Sequence, residues 1–290
     1  MRLSEVTTFR LGGPAKRWFD CSTPSDLKRS VKESAGDFLL IGGGSNLLVS
    51  DEGVDMTVIR YAAERPDIRV DGTDVMVSGA TSLDDLARRT AEMGLAGLTC
   101  CTGIPGTVGG AVAGNAGAFG EQIGDRVVSV QLIDRSGAEH EVDVAALGFA
   151  YRTSRLQAST EIVSSVRLAL TRGDASQLMK QREEVLALRA SKHPDWRTTP
   201  TAGSFFKNIE PTSKAGRRQA AGWFLEQAGA KDFRVGGARL FEKHANIIIG
   251  GPGCTASDVY ALSRKMAESV RTMFGLELHR EVRLIGRFDI

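Results

Sequence analysis

Leu83, Leu86, Ala87, Thr90 and Met93 fall on one face of a 3.6-residue period, which predicts a helix over Ser82–Met93. Ser82-x-x-Asp85 resembles a capping box before it, and Gly94 stops it. A second stripe, Val259, Leu262, Met266, Val270 and Met273, predicts a long helix over Ala256–Phe274 between Thr255-x-x-Asp258 and Gly275. Helices are also expected from Pro24 to Ala35, started by Thr23 or Ser25, from Ser176 to Arg189 on a stripe of Leu178, Val185 and Leu188, and over Gln219–Gln227. Short β-branched or apolar runs broken by Gly and Asp predict strands at Phe38–Ile41, Met56–Arg60, Ile68–Val70 and Val75–Ser78. Further strands are expected at Val127–Ile133, His140–Val144, Glu161–Leu170 and Asn246–Gly250. From Leu276 to Ile285 the pattern alternates, with Leu276, Leu278, Val282 and Leu284 on one side and Glu277, His279, Glu281 and Arg283 on the other.

Strands and helices intermix without a run of βαβ units, so the expected class is α+β. The chain of 290 residues has room for about two domains. The polar stretch His193-Pro-Asp-Trp-Arg-Thr-Thr-Pro200 reads as a linker, placing the main boundary near residue 190. A net charge of +2 without a basic run argues against nucleic acid. The N-terminal MRLSEVTTFRLGG has no signal-peptide core, and no apolar segment approaches the roughly 18 residues of a membrane span. A cytoplasmic protein without an obligate protein partner is the expectation. Cys21, Cys100, Cys101 and Cys254 form no CxxC pair and are read as reduced; the four histidines lack ligand spacing, so no metal is expected.

Two segments are glycine-rich beyond what turns require. Residues 103–120 read GIPGTVGGAVAGNAGAFG, seven glycines in eighteen residues, and Ile41-Gly-Gly-Gly-Ser-Asn-Leu-Leu-Val49 has the same character. Glycine loses the most freedom on folding, so such segments mark backbone that turns sharply or lies against a ligand. Main-chain N–H groups at this density suit the pyrophosphate of a dinucleotide. The G-x-G-x-x-G of a Rossmann crevice is absent, and Leu47-Leu-Val49 continues the first glycine run as strand rather than helix. A dinucleotide here would sit on loops.

Seven motifs appear in order: Thr7-Thr-Phe-Arg-Leu-Gly-Gly-Pro14, Gly42-Gly-Gly-Ser-Asn-Leu-Leu48, Gly103-Ile-Pro-Gly-Thr-Val-Gly-Gly110, Asn115-Ala-Gly117, Tyr151-Arg-x-Ser154, Gly203-Ser-Phe-Phe-Lys-Asn208 and Lys243-His-Ala-Asn246. Together they closely resemble the UDP-N-acetylenolpyruvoylglucosamine reductase (MurB) family over almost the whole chain. The resemblance implies an FAD-binding domain of the vanillyl-alcohol-oxidase/PCMH type over residues 1–190, in subdomains of about 1–62 and 63–190. It also implies a smaller α+β substrate domain over 191–290. The implied reaction uses NADPH and non-covalent FAD to reduce the enolpyruvyl ether of UDP-N-acetylglucosamine to UDP-N-acetylmuramate for peptidoglycan. The short stretch between Arg152 and Lys192 leaves no room for the substrate-covering insertion of the longer subtype, so the chain resembles the shorter, second one. Phe119 stands where Tyr is common, and Phe241 and Ile248 where Ser and Phe are commoner.

Hydride addition to an enolpyruvyl ether needs stabilisation of the charge developing on the α-carbon and carboxylate, and a proton for that carbon. The resemblance assigns the first task to Arg152, whose guanidinium matches a carboxylate in bidentate geometry. It assigns the proton to Ser204, although by residue type alone a serine in Gly203-Ser-Phe caps a turn. Glu281 would hold the substrate carboxylate if protonated, or relay a proton. FAD contacts are expected from Gly42, Gly43, Gly44, Ser45, Asn46, Leu47, Gly103, Ile104, Pro105, Gly106, Thr107, Gly109, Gly110, Ala111, Asn115, Ala116, Gly117 and Arg189. Tyr151, Lys192 and Asn208 are expected to meet substrate. Two other readings carry their own signatures. An oxidase with covalent flavin predicts a histidine in the glycine segments, and there is none. A non-catalytic paralogue predicts loss of Arg152, Ser204 or Glu281, and all are present.

Overall fold

The computed structural model describes residues 1–210 and 218–288. The chain divides into two compact units: a glycine-loop unit of Lys16–Gly43 and Met56–Arg189, and a C-terminal unit of Met1–Ala15, Gly44–Asp55 and Ala190–Ile290. Two N-terminal segments pack with the C-terminal unit rather than with the rest of residues 1–190. Hydrogen bonds between residues far apart in sequence account for this. Leu47–Val49 pairs in parallel with Arg283–Ile285, and the Thr8 hydroxyl donates to the Thr201 carbonyl at 2.7 Å.

In the glycine-loop unit, a five-stranded antiparallel sheet runs in the order 139–143, 127–133, 162–169, 74–78, 68–71. A smaller sheet places the strand at 54–61 between those at 15–21 and 38–41. The helices are α1 (Pro24–Glu33), α2 (Leu83–Glu92), α3 (Val108–Gly114) and α4 (Ala175–Lys192). One core gathers Val75, Leu86, Val112, Val130 and Val166 beneath the larger sheet. A second gathers Leu27 and Val31 of α1 with Phe38, Ile59 and Tyr61.

In the C-terminal unit, a four-stranded antiparallel sheet has the order 201–204, 244–250, 238–241, 234–235. It carries α5 (Ala221–Gln227) and α6 (Ala256–Phe274). The Thr255/Asp258 capping box opens α6, and Gly275 in the left-handed region closes it. Val259, Leu262, Met266 and Val270 are fully buried, each contributing about 1.5–3 kcal/mol. Asp51 adds a tertiary cap, its carboxylate accepting from the N–H groups of Ala256 at 2.8 Å and Ser257 at 3.0 Å.

Four expectations are corrected. Met93 and Met273, at the ends of their stripes, are exposed. The glycine run is not all loop, because Val108, Ala111 and Val112 bury one face of α3. In α4, Val185 is only partly buried and Leu188 is exposed, and the buried side chains are Leu178 and Arg182. The last run keeps its alternating burial, but only Arg283–Ile285 is laddered as strand.

Candidate functional site

The two glycine segments meet within the glycine-loop unit. A Cβ on Gly43 would lie 2.9 Å from the Gly106 Cα, and one on Gly42 would collide with the Thr107 hydroxyl. Real side chains cannot occupy those positions, so glycine here is a steric requirement. The main-chain donors are fewer than the sequence suggests. The N–H groups of Val108 and Gly109 go to the carbonyls of Thr81 and Gly79, and those of Ile104, Ala111 and Ala116 to Cys101, Thr107 and Ala111. Gly110 donates to the Thr107 hydroxyl, which caps α3, and Gly103 to Asp84. Gly42, Gly43, Gly106 and Thr107 have no such main-chain bond to protein among the described residues. The expected amide cradle therefore contracts to the corner where the two segments touch.

Asn115 terminates α3 at φ 45° and is fully buried. Its Nδ2 donates to the Ala150 carbonyl at 2.9 Å, and its Oδ1 accepts from the Gly124 N–H at 3.1 Å. Ala150 and Thr153 exchange main-chain bonds of 3.0 and 3.2 Å, closing a two-residue turn of Tyr151 and Arg152. The Ser154 hydroxyl ties this turn to the Ala113 carbonyl at 2.8 Å. Arg152 has φ 53°, in a region that non-glycine residues enter at a cost of about 1–2 kcal/mol. Its guanidinium lies 5.5 Å from the Tyr151 ring centroid. Asn115 is thus a support for the Arg152 turn, its side chain consumed by protein. Gly117 is likewise a tight hairpin position, where a Cβ would strike the Glu121 carbonyl.

Arg189, on α4, lies beside Gly103, whose Cβ would stand 3.1 Å from the Arg189 Cδ. Its Nε and Nη2 are buried without a hydrogen-bond partner among the described residues. Burial pushes its pKa down, and the positive charge of Arg152 adds to the effect. Two buried N–H donors without an acceptor call for an anionic or carbonyl partner. The Phe119 ring lies 6.0 Å from this guanidinium and is itself exposed, at φ 57°.

The C-terminal unit brings together a second set. Ser204 ends the strand Thr201–Ser204, after Gly203 at φ 75°. The next residue, Phe205, accepts the Glu281 N–H at 2.8 Å, so Ser204 and Glu281 sit on neighbouring chain segments. Asn46 Nδ2 donates to the Glu281 carbonyl at 3.1 Å. Asn46 therefore braces Glu281, a contact that spacing alone does not suggest. Gly44, at φ 63°, has no room for a Cβ beside the Val6 carbonyl. Ser45 and Leu47 are half-buried beside it. Asn208 Oδ1 caps the first turn of α5 through the Ala221 N–H at 3.2 Å. Lys192 is exposed at the end of α4. His244, half-buried, accepts from the Asn246 N–H at 3.2 Å, and burial lowers its pKa. Among the described residues, no cluster of His, Cys, Asp and Glu could hold a metal, and no helix is long and apolar enough to cross a membrane.

Comparison with known proteins adds an independent line. Residues 194–285 match the UDP-N-acetylenolpyruvoylglucosamine reductase C-terminal domain, and residues 19–143 an FAD binding domain. The UDP-N-acetylenolpyruvoylglucosamine reductase of Heliobacterium modesticaldum is 39% identical over 98% of this chain and 89% of its own length. That of Anoxybacillus flavithermus is 35% identical over 99% of this chain and 93% of its own. The crystal structure of the enzyme from Thermus caldophilus superimposes with a TM-score of 0.82 at 34% identity, over 99% of this chain and 98% of that one.

Proposed function

The chain belongs to the UDP-N-acetylenolpyruvoylglucosamine reductase family, and on that premise we propose that it reduces the enolpyruvyl ether of UDP-N-acetylglucosamine to UDP-N-acetylmuramate, with NADPH as reductant. The residues present fit FAD. The observation that carries this is the corner where Gly42 and Gly43, closed to side chains, meet Gly106 and Thr107, with the two unpartnered Arg189 donors on the same unit. Gly42, Gly43, Gly106 and Thr107 would hold it through the main chain and Arg189 through its guanidinium. When bound, FAD supplies the relay that carries a hydride from NADPH to the enolpyruvyl methylene carbon.

The chain's own residues do the rest. Arg152 meets the substrate carboxylate with paired N–H donors and stabilises the charge that develops there, the kind of preorganised electrostatic contribution that usually dominates catalysis. Its turn is fixed from below by Asn115 and Ser154, so little reorganisation is needed when charge appears. The Ser204 hydroxyl gives a proton to the α-carbon. Glu281, on the neighbouring segment, keeps that proton supplied. Asn208, its Oδ1 already engaged, offers only Nδ2 to the diphosphate. Lys192 contributes a mobile cation, and Tyr151 packs under the Arg152 guanidinium.

The test is direct. Purified protein should be yellow and release flavin on denaturation. In stopped flow, NADPH should bleach the flavin and enolpyruvyl-UDP-N-acetylglucosamine should restore its colour. A folded protein that neither carries nor takes up flavin refutes the proposal.

A further inference from the structure

We propose that Asp84, a residue no motif marks, is the positioning residue that presets the Gly103–Gly106 turn for its ligand. Three N–H groups converge on its carboxylate. Arg182 donates through Nη1 at 2.7 Å to Oδ1 and through Nη2 at 2.8 Å to Oδ2, and the Gly103 main chain donates at 2.6 Å. Arg182 is only 6% exposed, so a buried cation on α4 is neutralised from the first turn of α2. The same turn holds the other end of the motif, where the Leu83 N–H donates to the Gly106 carbonyl at 3.0 Å. Gly103 and Gly106 are thus gripped by consecutive residues of one rigid helical turn. Gly103, at φ 70°, is also wedged against α4, its Cβ position 3.0 Å from Leu186 Cδ2 and 3.1 Å from Arg189 Cδ. Asp84 therefore anchors the glycine turn through Gly103, while its pair with Arg182 neutralises a buried cation of α4.

An ion pair that merely stabilised the fold would need Arg182 but not the bond to Gly103. The two roles separate by substitution. Arg182→Met breaks the pair and leaves Asp84 able to accept from Gly103. Asp84→Ala removes both. Asp84→Glu keeps the charge within reach of Arg182 but carries the oxygens one methylene out of register with Gly103.

The inference rests on the flavin reading, so FAD affinity is measured by fluorescence quenching on the apoprotein, beside its melting temperature and the absorption spectrum of the bound flavin. Asp84→Ala and Asp84→Glu should each weaken FAD binding about tenfold or more, the scale of one charge-assisted hydrogen bond, and shift the flavin spectrum. Arg182→Met should lower the melting temperature while leaving affinity and spectrum near native. If Asp84→Ala does not fold, Asp84→Glu against Arg182→Met decides. Flavin affinity that follows melting temperature across all variants, or an Asp84→Glu protein with native affinity and spectrum, overturns the inference alone. A native chain that binds no FAD brings down the flavin reading and this inference with it.

Discussion

Gly43 and Asn115 show how differently single residues of one motif family are used. At Gly43 the requirement is steric, since any Cβ meets the Gly106 backbone at 2.9 Å. Gly43→Ala should cost about 1–3 kcal/mol of stability, as overpacking does, and should yield protein purified with little flavin, read from its visible-to-ultraviolet absorbance ratio. At Asn115 the requirement is polar. Asn115→Ala leaves the Gly124 N–H without its acceptor, takes from the Ala150 carbonyl one of its two donors and puts alanine at φ 45°. A loss of about 2–4 kcal/mol is expected in urea titration, with turnover falling further because the Arg152 turn loses its support. Ser204→Ala should keep NADPH-driven flavin bleaching while turnover falls about 10²–10⁴-fold. Equal loss in both half-reactions would remove Ser204 from the proton step.

At the scale of elements, periodicity found most of the structure. The helix Ala256–Phe274 has the expected bounds because its signals are local: an apolar stripe, a capping box and a terminal glycine. Strands at Phe38–Ile41 and Val127–Ile133 were equally legible. The helix Ala175–Lys192 was found, but its buried face was misread, because Arg182 is polar by type and buried only through Asp84. The helix Val108–Gly114 was hidden by glycines whose low helix propensity is overridden by packing of Val108 and Val112. Asp84 itself reads as an ordinary acid in a first helical turn. Nothing in the sequence ties it to residues 103 and 182.

For the molecule as a whole, His244 gives stability a sign with pH. Burial holds its pKa below the ordinary 6.5, so the unfolded chain binds this proton more readily than the folded one. This contribution is present above pH 6.5 and is lost as pH falls from there through the lowered folded value. Urea midpoints should decline with falling pH over that window, and His244→Gln should flatten the decline. Added FAD should raise the melting temperature with its concentration, by mass action on the folded state.

The order of motifs along the chain determined the family, and with it the reaction and the candidate Arg152, Ser204 and Glu281. Local periodicity determined α1, α2, α4, α5, α6 and the strands of the five-stranded sheet, because helix caps and apolar stripes are read within a few residues of one another, but not the strands at 15–21, 201–204, 234–235 and 238–241. Only the tertiary structure decided that Met1–Ala15 and Gly44–Asp55 belong with the C-terminal unit, and that Asn46 and Asn115 act as braces. It also confined the glycine amides left for a ligand to the corner where Gly42 and Gly43 meet Gly106 and Thr107. These are matters of which donor finds which acceptor across tens to hundreds of residues, and a hydrogen bond at that separation leaves no period in the sequence.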